Sequence, residues 1–138
     1  MKRIASMVFI TILIVCYGVI GYAESNEPTP YASELIRSFT VNLSINGSTA
    51  TATATVNAKG TYDKVGISSL RIQEKRDGSW VTVATLSNQY GTNVRYFQDE
   101  LTYGSAKNGV QYRATATFFV EEGTSTETRS SYSATKTA

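Results

Sequence analysis

From residue 39 onward the chain alternates apolar and polar side chains, and strand side chains that follow one another point to opposite faces. Phe39, Val41, Leu43 and Ile45 share one face of a first strand, with Thr40, Asn42, Ser44 and Asn46 on the other. Asn46-Gly47 is a hairpin signal. A second strand sets Ala50, Ala52, Ala54, Val56 and Ala58 against Thr49, Thr51, Thr53 and Thr55; such small side chains need bulky neighbours opposite them. A third, over 67–75, sets Ser68, Leu70 and Ile72 against Arg71, Gln73 and Lys75. Asp77-Gly78 turns it into a fourth, over 80–86, with Trp80, Ala84 and Leu86 on one side and Val81 and Val83 on the other. The fifth, over 94–101, carries Val94, Tyr96, Phe97 and Leu101 in a pattern that fixes no face.

The sixth strand, over 110–120, alternates Val110, Tyr112, Ala114, Ala116, Phe118 and Val120 with Gln111, Arg113, Thr115 and Thr117. Glu122-Gly123 leads to a seventh, over 125–135, polar apart from Tyr132 and Ala134 and therefore suited to a sheet edge. Glycines at 47, 60, 66, 78, 91, 104, 109 and 123 mark the turns. The pattern predicts an all-β fold, a seven-stranded antiparallel two-sheet sandwich over 35–138, with a closed barrel as the alternative.

The first 23 residues break the pattern. A basic start, Met1-Lys2-Arg3, precedes an uncharged run over 4–20, and Gly21-Tyr22-Ala23 supplies the small residues of a cleavage site. This is the layout of a secretory signal peptide cut after Ala23, and it predicts a secreted, extracellular protein. Two alternatives keep the chain at the membrane: an uncleaved leader acting as an anchor, or lipid attachment at Cys16 within Leu13-Ile14-Val15-Cys16, where a lipobox would have a small residue in place of Val15. Residues 24–34 hold both prolines of the chain and read as a linker.

Cleavage changes what chemistry is available. The one Cys and both Met residues lie in the leader, and the chain has no His. Residues 24–138 therefore offer no thiol nucleophile, no Cys or His ligand for zinc, haem or iron–sulfur groups, and no histidine base. No cofactor is expected, and with no disulfide the domain must rest on its packed core. Lys2 and Arg3 carry the whole charge excess of the chain, so the exported part balances 11 basic against 11 acidic residues. A nucleic-acid partner has no electrostatic footprint there.

Gly109-Val110-Gln111-Tyr112-Arg113-Ala114-Thr115-Ala116 resembles the penultimate strand of fibronectin type III and immunoglobulin-like domains. There a tyrosine near the strand start bonds back to the preceding corner, and the resemblance gives that structural role to Tyr112. Residues 69–74 with Asp77-Gly78-Ser79-Trp80 are similar to the third and fourth strands of small exported Gram-positive proteins of uncharacterised function. The second-strand Trp of fibronectin type III domains is absent here, as are their proline-marked corners. A shared sandwich carries no function with it.

No catalytic or metal-binding set emerges. Asp99-Glu100 and Glu121-Glu122 are the only adjacent carboxylate pairs, and neighbours on a strand point apart, unsuited to flank one glycosidic bond. Asp63, Asp77, Asp99 and Glu100 lack the spacing of a calcium loop. The Thr ladders at 49–55 and 115–117 are ordinary solvent-facing strand positions. Aromatic residues are the better lead: Tyr62, Trp80, Tyr90, Tyr96, Phe97 and Tyr103 crowd the middle of the chain. Trp80, Tyr96 and Phe97 are expected to fill the space above the Ala-lined strand. Tyr90 and Tyr103, each beside a glycine, are expected at the surface, and with Trp80 they are the candidate ligand-binding residues.

These features together lead to a non-enzymatic binding or adhesion module. The expected partner is a protein or glycan at the cell surface, and the module is expected to be a monomer. Two other readings remain open: a small extracellular hydrolase using two of Asp63, Asp99, Glu100, Glu121 and Glu122, and an accessory or inhibitory partner of another exported protein.

Overall fold

Three two-residue hairpins organise the chain, and each is set by the residues at its tip. β1 (Ile36–Asn46) passes to β2 (Thr49–Arg76) through Gly47-Ser48, with Gly47 at φ +61°. β2 passes to β3 (Ser79–Tyr103) through Asp77-Gly78, where both residues have positive φ, 50° and 80°, as a type I′ turn requires. β4 (Gln111–Glu122) reaches β5 (Ser125–Tyr132) through Gly123-Thr124, with Gly123 at φ +58°. A short β6 (Lys136–Thr137) returns beside the start of β4.

These elements come from a computed structural model that describes residues 34–138. The expected signal peptide, the cut after Ala23, Cys16 and the linker short of Glu34 lie outside the described residues. Within them the protein is all-β, without a helix, and every pairing is antiparallel.

β2 and β3 are much longer than the sequence pattern suggested. The glycines at 60, 66 and 91 do not make turns; β2 runs through Gly60 and Gly66, and β3 through Gly91. At Gly66 the glycine serves close packing. A Cβ there would collide with the Gln89 carbonyl and the Tyr90 side chain of the paired strand.

β2 changes its neighbour partway along, and this curls the sheet. Its first part pairs with β1 (Ile45↔Ala50 to Ile36↔Ala58) and, on its other edge, with the end of β3 (Ala50↔Tyr103 to Asn57↔Tyr96). Its second part pairs with β4 (Lys64↔Glu121 to Glu74↔Tyr112) and with the start of β3. Between the two ladders the register jumps from Asn57↔Tyr96 to Tyr62↔Val94, so four β2 residues oppose Arg95 alone. The Arg95 Nε–H donates to the Ala58 carbonyl across that bulge at 3.4 Å. A second bulge at Ser68 is closed by its hydroxyl, which donates to the Thr117 carbonyl at 3.1 Å.

The curl brings β1 over β4 without pairing the two, and the Phe39 and Phe118 rings meet at 5.4 Å between centroids. The core lies between them. Ala50, Ala52, Ala54, Val56 and Ala58 of β2 are buried in it together with Val65, Ile67, Leu70, Ile72, Tyr112, Phe118 and Val120. The bulk above the alanines therefore comes largely from the second part of β2 and from β4. Of the three aromatics expected there, Phe97 packs against the core, Tyr96 stands half exposed, and Trp80 lies on the opposite side of the sheet against Arg113. Burying the inward side chains of these strands supplies the main driving force, roughly 25 cal/mol per Å² of apolar surface.

Candidate functional site

The outer face of the β3–β2–β4–β5 part of the sheet is where exposed aromatic and cationic side chains meet. Register places them in rows across the strands. Trp80 is opposite Lys75; Thr82 is opposite Gln73, which faces Arg113; Thr85, Arg71, Thr115 and Tyr132 form the next row; Ser87, Ser69, Thr117 and Ser130 the one after. Further along come Tyr90, Gly66, Phe119 and Thr128.

Arg113 is the centre of one end. Its guanidinium carbon lies 4.4 Å from the centroid of the Trp80 ring and 4.8 Å from that of Tyr132, so the planar cation is held between two aromatic faces. Its Nε–H donates to Gln73 Oε1 at 2.8 Å. Lys75 Nζ approaches the same Trp80 ring at 5.8 Å. Arg71 stands one row away, exposed, and its guanidinium makes no hydrogen bond or ion pair to another described residue. Arg71, Gln73, Arg113, Thr117, Ser130 and Tyr132 line a polar groove. The rows from Trp80 to Thr117 present no carboxylate on this side.

The other end is smaller. Tyr90 lies over Gly66 with its ring edge-on to Phe119 at 6.0 Å, and Lys64 Nζ sits 5.0 Å from the Tyr90 centroid while pairing with Glu121 at 3.4 Å.

The candidate aromatics thus divide. Tyr90, 45% exposed, and the half-buried Trp80 belong to this face, although at opposite ends of it. Tyr103 lies elsewhere, half buried at the end of β3 with its ring 6.2 Å from Tyr112. Arg71, Gln73, Arg113, Phe119 and Tyr132 were not singled out from sequence. Alternation alone put Arg113 on the solvent side, but its position between Trp80 and Tyr132 depends on strand pairing, which alternation does not encode.

A second polar cluster closes the end of the core. Glu74 is buried opposite Tyr112 and accepts from Arg76 Nε and Nη2 at 3.0 and 2.7 Å through one oxygen; Lys107 Nζ lies 3.6 Å from the other. The Arg76 hydrogen bond holds the Glu74 carboxyl below its ordinary range against the opposing effect of burial. An acid kept ionised in this way is a poor proton donor. The Tyr112 hydroxyl accepts from the Lys107 main-chain N–H at 2.8 Å, which ties the β3–β4 connection to the same cluster.

The five carboxylates considered for hydrolysis are dispersed, with Glu121 paired with Lys64 and the other four in two places. Asp63 and Glu122 come together, both exposed, and each is engaged by main chain: the Asp63 N–H donates to Glu122 Oε2 at 3.2 Å and the Gly123 N–H to Asp63 Oδ2 at 2.8 Å. Asp99 and Glu100 lie on the part of β3 paired with the start of β2, where Glu100 accepts from the Thr53 hydroxyl at 3.3 Å. Among the described residues no group of three or more acidic side chains could hold a metal ion.

No protein-family model matches the chain, and no curated protein matches it either. Among solved structures, a protein from Archaeoglobus fulgidus is similar at 10% identity with a TM-score of 0.39, over 75% of this chain and 97% of that one.

Proposed function

We propose that this chain is a secreted or cell-surface, non-enzymatic β-sandwich of the fibronectin type III or immunoglobulin-like kind, which binds a cell-surface ligand through the outer face of β3, β2, β4 and β5. The observation that carries this reading is the guanidinium of Arg113 held between Trp80 and Tyr132 at the surface. Trp, Tyr and Arg are the side chains that most often dominate binding energy, because they bring large contact area with little conformational freedom to lose.

Export rests on the basic, apolar and small-residue segments of the leader. The sandwich reading draws support from the exchange of neighbours along β2: β1, the first part of β2 and the end of β3 would form one layer, and the start of β3, the second part of β2, β4 and β5 the other. The Tyr112 to Lys107 bond is what the tyrosine corner of that superfamily would provide. A non-enzymatic role fits the Asp63–Glu122 pair, whose carboxylates serve main-chain N–H groups, and the ionised Glu74.

Binding of the exported protein to an array of cell-wall polysaccharides and matrix proteins tests the reading. The expected result is retention by at least one ligand, lost on Trp80→Ala and Tyr132→Ala with the fold intact. Silence across the array would overturn it, as would turnover of any glycan or peptide substrate.

A further inference from the structure

The two ends of the proposed face differ in charge, and that difference selects a class of ligand. At the Tyr90 end Lys64 is neutralised by Glu121. At the Trp80 end Lys75, Arg71 and Arg113 share one side of the sheet with no acidic neighbour in their rows, on a domain whose charges otherwise balance. Arg71 and Arg113 are diagonal neighbours on adjacent strands, so their side chains reach the same groove. Gln73, by accepting from the Arg113 Nε–H, fixes the plane of that guanidinium while its terminal nitrogens keep donor capacity. Two guanidinium groups beside a groove with no carboxylate make a receptor for a planar or tetrahedral oxyanion.

The rest of the groove says what carries the anion. Between the Trp80 and Tyr90 ends, besides Arg71, Gln73, Arg113 and Tyr132, the rows hold Thr82, Thr85, Ser87, Ser69, Thr115, Thr117 and Ser130, hydroxyl side chains with no aliphatic residue among them. A protein partner needs an apolar centre to its interface, and the strip has none. From Arg113 to Phe119 the strip runs along β4 for about 20 Å at the usual strand rise. That is a surface for an extended, hydroxyl-rich chain.

We infer that the groove lined by Arg71, Gln73, Arg113 and Tyr132 binds an anionic polysaccharide, with a carboxylate or sulfate on the two arginines and the hydroxyl rows beneath the sugar chain. The inference rests on the binding-module reading and names the ligand class of the same face.

Isothermal titration of the exported protein against dextran sulfate and polygalacturonate separates sulfate from carboxylate as the source of the anion, with dextran and laminarin as neutral controls and a thymidine 20-mer as a polyanion that is no glycan. Binding to at least one anionic glycan, weakened by salt and by about ten-fold in Arg71→Gln, is expected. Arg71 is exposed and has no partner among the described residues, so that variant keeps its thermal midpoint; Arg113→Gln should weaken binding at least as much. Equal affinity for the neutral glycans, equal affinity for the thymidine 20-mer, a protein ligand seated on this face, or indifference to both arginine substitutions would each overturn the inference. A neutral glycan bound through Trp80 would do so while sparing the binding-module reading, whereas failure of every glycan and protein probe would remove both.

Discussion

The Tyr112 hydroxyl and the Lys107 main-chain N–H are joined at 2.8 Å, five residues apart, at the point where the chain leaves β3 and enters β4. Tyr112 is fully buried, so its ring packs in the core while its hydroxyl holds the connection. Tyr112→Phe keeps the ring and removes the acceptor, leaving a part-buried N–H without it. The expected cost is about 1–2 kcal/mol, read as a lower urea midpoint with an unchanged m-value. A loss below a few tenths of a kcal/mol would mean that the connection is held by its other contacts.

Glu74 gives the fold a pH dependence with a defined sign. Its folded-state carboxyl is held below the ordinary value of 4.5, first by the hydrogen bond from Arg76. A carboxyl with a lowered folded-state pKa contributes stability that is complete above the unfolded value and disappears as pH falls through the folded value. Urea unfolding between pH 7 and pH 3 should therefore show Glu74→Gln less stable than the parent at pH 7, with the difference shrinking below about pH 4.5. A pH-independent gap between the two proteins would refute the linkage.

Much of this fold is legible in the sequence, and the parts that are not share one cause. Alternation locates β1 and β4, and Gly47, Asp77-Gly78 and Gly123 locate the three hairpins, because both are local properties of the chain. The same alternation places Glu74 on the core face with Leu70 and Ile72, a signal that its charge conceals. The length of β2 and β3 is hidden because glycine is permissive: Gly66 marks a close approach to Tyr90 in the same letter that Gly78 uses for a turn. The proposed binding face is hidden because Trp80, Arg113 and Tyr132 sit on three strands, and period two says which side a residue faces but not which strand lies beside it.

Gly66 tests whether that close approach matters. Gly66→Ala would drive a methyl into the Gln89 carbonyl and the Tyr90 side chain, and the backbone carbonyl cannot move aside without loosening the β2–β3 ladder. The expected penalty is about 1–3 kcal/mol in urea or thermal unfolding. Tyr90→Gly in the same background removes the Tyr90 Cβ and should recover only part of it, since the Gln89 carbonyl contact stays. Full recovery would show that the side chain alone sets the requirement for glycine.

Glu127 joins the last long strand to the first. From β5 its Oε2 accepts the Leu35 and Ile36 N–H groups at 2.7 and 3.1 Å, at the point where β1 begins, while Oε1 pairs with Arg129 at 2.9 Å. β1 and β5 are not paired with each other, so this carboxylate ties the start of β1 to β5, in addition to the ladder that pairs Ile36 with Ala58 of β2. Hydrogen bonds to a charged acceptor contribute about 1.5–3 kcal/mol, and Glu127→Ala should lose a cost of that order. Its effect should also be local: hydrogen exchange at Leu35 and Ile36 should accelerate by more than the change in global stability accounts for, while the amides of Leu70 and Ile72 in the middle of β2 follow the global change alone. Uniform acceleration across both sets would mean that β1 detaches only when the whole domain unfolds.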